Sequence, residues 1–275
     1  MTARAQRRLR TTVAALIAIP FIVPFLFLIG TAFRARDDYI RDPGGLPHTF
    51  TWSNVIDAWQ QADLGQALVN TLIVCVVACF VCSATAVASA YWFRRHAGTI
   101  ANRTRWLLVI GYAIPAVAWL IPVFVIASNV GLSGNLVIAG IVNGVSTLPF
   151  ALYLVHTFFG QVLTGELLEA SELDGAGAYR TFGSIALPLA MPVLAAVVAL
   201  TFVWTFGDLL IAETLLQADP SSYTITLAAT SLSSRDNVNL QGQAAAALVA
   251  LVPTLVVFAF AQRALTLGFG GVSDK

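Results

Sequence analysis

The sequence predicts an all-α integral membrane protein with six transmembrane helices and both termini in the cytoplasm. Three observations lead there. Hydrophobic residues make up 58% of the 275 and charged residues only 11%, where an ordinary soluble domain carries about a quarter. Much of the apolar surface therefore has to face lipid, in keeping with a mean hydropathy of +0.80. Apolar runs at 11–33, 68–93, 106–127, 136–159, 188–216 and 244–266 reach the length of about 20 residues that a bilayer requires, and lipid allows them no conformation but helix. The cations orient the chain. With the N-terminus inside, Arg4, Arg7, Arg8, Arg10, Arg94, Arg95, Arg103, Arg105, Arg180, Arg263 and Lys275 are cytoplasmic, eleven of fifteen. Residues 1–275 read as one such domain.

Composition also excludes functions. A net charge of +1 and the lack of a long basic run argue against nucleic-acid binding. The single lysine is Lys275, so no glycine-rich turn carries the lysine that a P-loop needs. Cys75, Cys79 and Cys82 share one helix face but lack converging ligands from elsewhere, which makes them packing residues and not a metal site. The histidines, 48, 96 and 156, form no Ser–His or H-E-x-x-H arrangement. No catalytic residue, metal or cofactor is expected.

Taken in order, run 11–33 follows four arginines but has no small-x-small cleavage site, and reads as a retained helix. The loop after it contains "TWSNVIDAWQQ", which places Trp52, Val55, Ile56 and Trp59 on one face, with Thr51 or Ser53 as the N-cap. This helix either lies at headgroup level or covers the tops of other helices. Pro115, Pro122, Pro149 and Pro253 interrupt later runs and invite kinks. In the third run, Tyr112 and Trp119 are seven residues apart and could stack on a sugar ring or serve as core.

Polar residues inside the runs are the candidates for a translocation pathway. Asn143 and Thr147 precede Pro149 at helical spacing, and bond either to a neighbouring helix or to cargo. Thr201, Trp204, Thr205 and Asp208 fall at i, i+3, i+4 and i+7 and form one stripe on an apolar helix. A charge within a span needs a cavity or a partner, so Asp208 is expected to line a pathway, unless it is wetted at the interface or bonded to a neighbour. Glu213 belongs nearer the interface.

The stretch 160–187 stands apart. Glu166, Glu169, Ala170 and Leu173 share a face of a short helix, and Asp174-Gly175-Ala176-Gly177 breaks it. Tyr179, Phe182 and Ile185 follow, then Leu187-Pro188. Helices this short need support from packing, and a small-residue helix with protruding carboxylates suits insertion into a groove on a partner protein.

These residues carry a resemblance. "EASELDGA" at 169–176, then nine residues, then "IALP" at 185–188, resembles the coupling loop of the membrane subunits of ABC importers. Closest are the carbohydrate permeases of the maltose-transporter type, and the likeness covers most of the chain. "AFRARDDYI", "TWSNVIDAW" and "LVNTLIV" are similar to that group's first outer loop and second span. "FVWTFGDLLIAETLL" is similar to its fifth span, and "FAQRALTLGFGGV" to its C-terminal pattern. Ser171 stands where a second alanine is usual, and Gly207 where an asparagine is.

The resemblance implies a type I ABC importer permease fold and a non-enzymatic subunit for a sugar or sugar-like solute in the bacterial plasma membrane. Its implied partners are a second, homologous permease subunit, a dimer of ATPase subunits, an extracytoplasmic solute-binding protein and membrane lipid. Glu166, Glu169, Ala170, Leu173, Asp174 and Gly175 would form the coupling contact. Asn143, Thr201, Trp204, Thr205, Asp208 and Trp119 would be candidates for the pathway. The competing reading is a stand-alone ion- or proton-coupled carrier using Asp208; the lack of an inverted repeat and of further buried charges speaks against it.

Overall fold

The computed structural model describes residues 3–45, 47–96, 98–99, 103, 106, 110, 114–233 and 238–270. Its described helices are α1 (Ala3–Ala32), α2 (Arg36–Arg41), α3 (Ser53–Gln61), α4 (Leu64–Arg95), α5 (Ala116–Asn129) and α6 (Leu136–Val162). They continue with α7 (Gly165–Leu173), α8 (Ala178–Thr181), α9 (Leu187–Phe206), α10 (Leu210–Leu216), α11 (Ile225–Ser231) and α12 (Leu240–Gly270). Among the described residues, five helical stretches are long and apolar enough to cross a membrane: Arg10–Ala32, Leu64–Arg95, Leu136–Val162, Ala178–Phe206 and Leu240–Phe260. The third apolar run is described as the shorter helix α5; much of its first half, including Tyr112, lies outside the described residues.

Two expected elements differ. The fifth run does not form one helix over 188–216: it begins at Ala178, ten residues early, and stops at Phe206. Its start is continuous because Phe182–Ala186 winds as a π-turn, where the Leu187 N–H bonds to the Phe182 carbonyl five residues back. Pro188 follows directly, and having no N–H and a bulky ring it disfavours the regular ladder at this point. Pro115 does not interrupt a helix but stands at the N-cap of α5, whereas Pro122, Pro149 and Pro253 lie within helices as expected.

The chain forms two compact units, Met1–Gly65 with Ala228–Val252 and Gln66–Leu227 with Pro253–Lys275. In the first, Phe33 and Phe50 stack at 4.9 Å and Trp52 meets Phe33 edge-on at 4.8 Å. The N-cap of α3 is Trp52, not Thr51 or Ser53, although the Thr51 hydroxyl accepts from the Ser53 N–H at 3.1 Å. Arg34 is buried and donates to the Asp38 carboxylate at 2.9 Å and to the Gly45 carbonyl at 3.0 Å. That guanidinium holds the Asp38 carboxyl well below the usual carboxylate range, and the His48 and Thr49 N–H groups act the same way.

In the second unit, α4 and α6 approach closely because α6 carries Gly140 and Gly144. A Cβ on Gly140 would lie 2.6 Å from the Val77 Cβ, and one on Gly144 2.8 Å from the Ala78 carbonyl oxygen. Only glycine permits this approach. Asn70 and Thr71 of α4 hold the segment after α10: Asn70 donates to the Ser221 and Tyr223 carbonyls at 2.8 and 3.0 Å, and the Ile225 N–H donates to Thr71 at 2.8 Å. The polar stretch around Ser221, Tyr223 and Ile225 is thus anchored to α4. Cys75 and Cys82 are buried, and all three cysteines are free thiols.

Candidate coupling and pathway sites

The short acidic helix is α7, and both of its ends are capped. At its start the Thr164 hydroxyl accepts from the Leu167 N–H at 3.3 Å, which satisfies one of the helix's orphan donors. At its end Gly175 adopts a φ of +73°. The Gly175 N–H bonds to the Glu172 carbonyl at 3.0 Å and the Ala176 N–H to the Ser171 carbonyl at 2.9 Å. This pair of bonds is a Schellman motif, and its left-handed residue is the reason for glycine at 175. The N-cap of the helix that follows is Gly177, not Asp174.

Ser171, the departure from the alanine usual in related loops, is buried and bonded. Its hydroxyl donates to the Leu168 carbonyl at 2.7 Å and lies 3.2 Å from the Thr181 hydroxyl. The loop is thereby cross-tied from within.

One face of α7 is fastened to the rest of the unit. Leu168 packs in a core with Val87, Tyr91, Phe93, Phe159 and Ala186. Polar anchors from the end of α4 surround it. The Arg94 guanidinium donates to the Leu163 carbonyl at 2.9 Å, the Tyr91 hydroxyl donates to the Ala178 carbonyl at 2.9 Å, and Arg95 pairs with Glu172 at 2.7 Å. The Tyr91 and Phe182 rings lie 5.3 Å apart.

The opposite face is bare. Glu166, Glu169, Ala170, Asp174 and Gly175 are exposed, as are Leu173 at 89% and Tyr179 at 95%. Six residues predicted from the sequence therefore gather on one surface, with two large apolar side chains held in the open.

The pathway candidates do not share one surface. Thr201 is buried and turns its hydroxyl to the Cys82 thiol at 3.5 Å. Thr205 is buried too, with no partner for its hydroxyl among the described residues. Trp204 is half-exposed, its ring 5.2 Å from that of Phe150. Asp208 follows the end of α9, and its carboxylate accepts the Ile211 and Ala212 N–H groups at 3.4 and 3.1 Å. It therefore satisfies two N–H groups in the first turn of α10, whose N-cap is Leu209, with the Asn143 amide as a further partner. Asn143 and Thr147 are buried within α6, and Asn143 also donates to the Ala139 carbonyl at 3.1 Å. Trp119 packs against the core around Ile211 and Leu215. Of the six, only Asn143 and Asp208 are in contact in this way.

Sequence reasoning missed several of these positions. Gly140 and Gly144 form a legible G-x-x-x-G, and Thr164 precedes its helix in the manner of a cap. Tyr91 and Arg94 carry no local signal, because their partners lie 87 and 69 residues away.

Comparison with known proteins decides the family. A profile described as the binding-protein-dependent transport system inner membrane component matches residues 82–268, which includes α7 and its anchors. The chain belongs to this family. It is an inner-membrane permease component, not an enzyme. It is 28% identical to the melibiose/raffinose/stachyose import permease protein MelC of Bacillus subtilis, over 98% of this chain and 96% of that one. It is 27% identical to the diacetylchitobiose uptake system permease protein NgcG of Streptomyces coelicolor, over 92% and 83%. Its fold matches a chain in the crystal structure of a bacterial ABC transporter involved in the import of the acidic polysaccharide alginate. There the TM-score is 0.76 at 18% identity, covering 96% of this chain and 98% of that one. The fold is that of a type I ABC importer permease.

Proposed function

We propose that this permease forms half of the translocation pathway of an ATP-driven importer for an oligosaccharide or sugar-derived solute. It crosses the membrane six times with both termini inside, and pairs with a homologous permease, two ATPase subunits and an extracytoplasmic solute-binding protein. The relatives named for melibiose, raffinose, stachyose and diacetylchitobiose support the solute class.

The observation that carries the coupling role is the exposure of Leu173 beside Glu166 and Glu169 on α7 and of Tyr179 on α8, both fastened to α4. Large apolar side chains held in the open by a rigid support are typical anchors for a partner's pocket. In this reading Glu166, Glu169, Ala170, Leu173, Asp174 and Gly175 enter a groove of an ATPase subunit. Closure of the ATPases then moves α7, and the Tyr91, Arg94 and Arg95 anchors pass the displacement to α4. Asn143, Trp204 and Asp208 are proposed for the pathway wall, with Thr201, Thr205 and Trp119 supporting it from behind.

The test is uptake and ATP hydrolysis by the assembled transporter in proteoliposomes. Glu169→Lys and Gly175→Trp are expected to abolish uptake while the permease stays in the membrane, since one reverses a contact charge and the other occupies a left-handed position. Normal uptake in both variants would refute the coupling role.

A further inference from the structure

A second site lies outside both regions, in the unit built from the first and last parts of the chain. Thr51 and Ser53 before and at the start of α3, Asn54, Asp57 and Gln61 along it, and Asn239 and Gln241 at the start of α12 surround a recess of about 380 Å³, with Ala35 and Arg36 completing its wall. This volume falls in the range of small-molecule sites, about 300–1,000 Å³.

The lining is unusual for a recess in so apolar a chain: its hydrogen-bonding side chains are mostly neutral. The two charges, on Arg36 and Asp57, are of opposite sign, which suits neither an anion nor a cation. The amides are set in fixed orientations. Asn54 uses its Nδ2 on the Ala32 and Arg34 carbonyls, both at 2.9 Å, so its oxygen is left as an acceptor. Asn239 uses its oxygen on the Gly242 N–H at 2.9 Å, so its Nδ2 is left as a donor.

Gln241 completes the set. It is only 4% exposed and lines the recess, so the little of it that is accessible faces the recess. An amide both donates and accepts, and a ligand rich in hydroxyl groups, which do both, matches it.

We propose that this recess binds a neutral polyhydroxylated solute, one or two sugar rings of the transported class, through Gln241, Asn54, Asn239 and Asp57. This rests on the importer reading, which places the recess on the outer face, where incoming solute arrives. No aromatic ring lines it, so there is no stacking face, and binding is weak and reversible, as suits a station on a route.

The test uses the full chain in lipid nanodiscs, with melibiose as the probe and magnetisation transfer from protein to sugar as the readout. Transfer is expected with the wild type and is lost in Gln241→Leu. It is lost also in Asp57→Ala, which alters an exposed residue and guards against a folding failure in the first variant. Gln241→Asn keeps an amide and retains part of the signal. Glu169→Lys retains all of it, which separates this site from coupling. Undiminished transfer in both Gln241→Leu and Asp57→Ala overturns the inference, as does absence of transfer in the wild type. Loss of docking by a purified solute-binding protein in Gln241→Leu, with sugar transfer unchanged, also overturns it, since the recess is then a protein contact. Gln241-dependent transfer in a chain that supports no ATP-driven uptake keeps the inference and refutes the importer reading instead.

Discussion

The chain stops being helical for four residues between Leu173 and Ala178 and for three between Phe206 and Leu210, and the two interruptions are built in opposite ways. At the first, the Thr164 hydroxyl and a backbone Schellman turn close the two ends of α7, and longer side chains reach in from α4, 69 to 87 residues away. The apolar residues Leu173 and Tyr179 are left outside. At the second, the polar side chain turns inward: Asp208 meets the N–H groups of the residues just after it, and the neighbouring Phe206 is buried. The second break uses its carboxylate mainly on its own backbone, with Asn143 as a distant partner. A break that has to transmit force is anchored from a distance and leaves a surface for something else.

The largest expected effect strikes the frame that both regions share. Gly144→Leu places a side chain against the Ala78 carbonyl, which an added Cβ alone would approach to 2.8 Å. We expect a loss of about 3 kcal/mol, the upper end for overpacking, seen as a collapse of the thermal unfolding midpoint in detergent. An unchanged midpoint would show that α4 and α6 can part without harm.

Next comes the exposed face. Leu173→Asp should leave that midpoint unchanged, because the side chain touches little in the free chain. Affinity for the ATPase subunits should fall by about 2 kcal/mol, or roughly 30-fold, the size of a hot-spot loss. A drop in stability with unaltered ATPase binding would mean that the face is structural.

Asp208 tests the other side of the comparison. Asp208→Ala should cost about 1 kcal/mol, as a lost cap does, and Asp208→Asn almost nothing, because an amide oxygen still accepts. Uptake in Asp208→Asn should persist without any change in its response to a proton gradient. Abolished uptake in that variant would restore the carboxylate as a coupling charge.

The smallest effect belongs to Arg95→Ala. Its partner Glu172 is 55% exposed at the side chain, and exposed ion pairs contribute only about 0.2–1 kcal/mol. Stability should barely move, while ATP hydrolysis should become less tightly linked to uptake, since one anchor between α7 and α4 is gone. Equal coupling in Arg95→Ala and the wild type would assign that linkage to Tyr91 and Arg94.

Much of this was legible because it is local. Long apolar runs announced the membrane helices, and Gly175 after an acidic, small-residue turn announced the end of α7. The exposed face followed from the spacing of Glu166, Glu169, Ala170 and Leu173. What escaped depends on distant partners or on a choice between faces. The i, i+3, i+4, i+7 spacing put Thr201, Trp204, Thr205 and Asp208 on one stripe. The helix ends before Asp208, so the spacing fails there, and Thr201 finds Cys82 on α4, which no periodicity reveals. The early start of the fifth span at Ala178 was hidden because Pro188 disfavours a helix that continues into it from before, whereas a π-turn over Phe182–Ala186 carries the helix up to it.

The modification rate of a single thiol reads the coupling contact most directly. Leu173→Cys should react rapidly with a membrane-impermeant maleimide in inside-out vesicles containing the permease alone, given its exposure. In vesicles containing the assembled transporter it should be protected by at least about tenfold, the equivalent of about 1.4 kcal/mol. Equal reactivity in the two preparations would mean that α7 enters no groove.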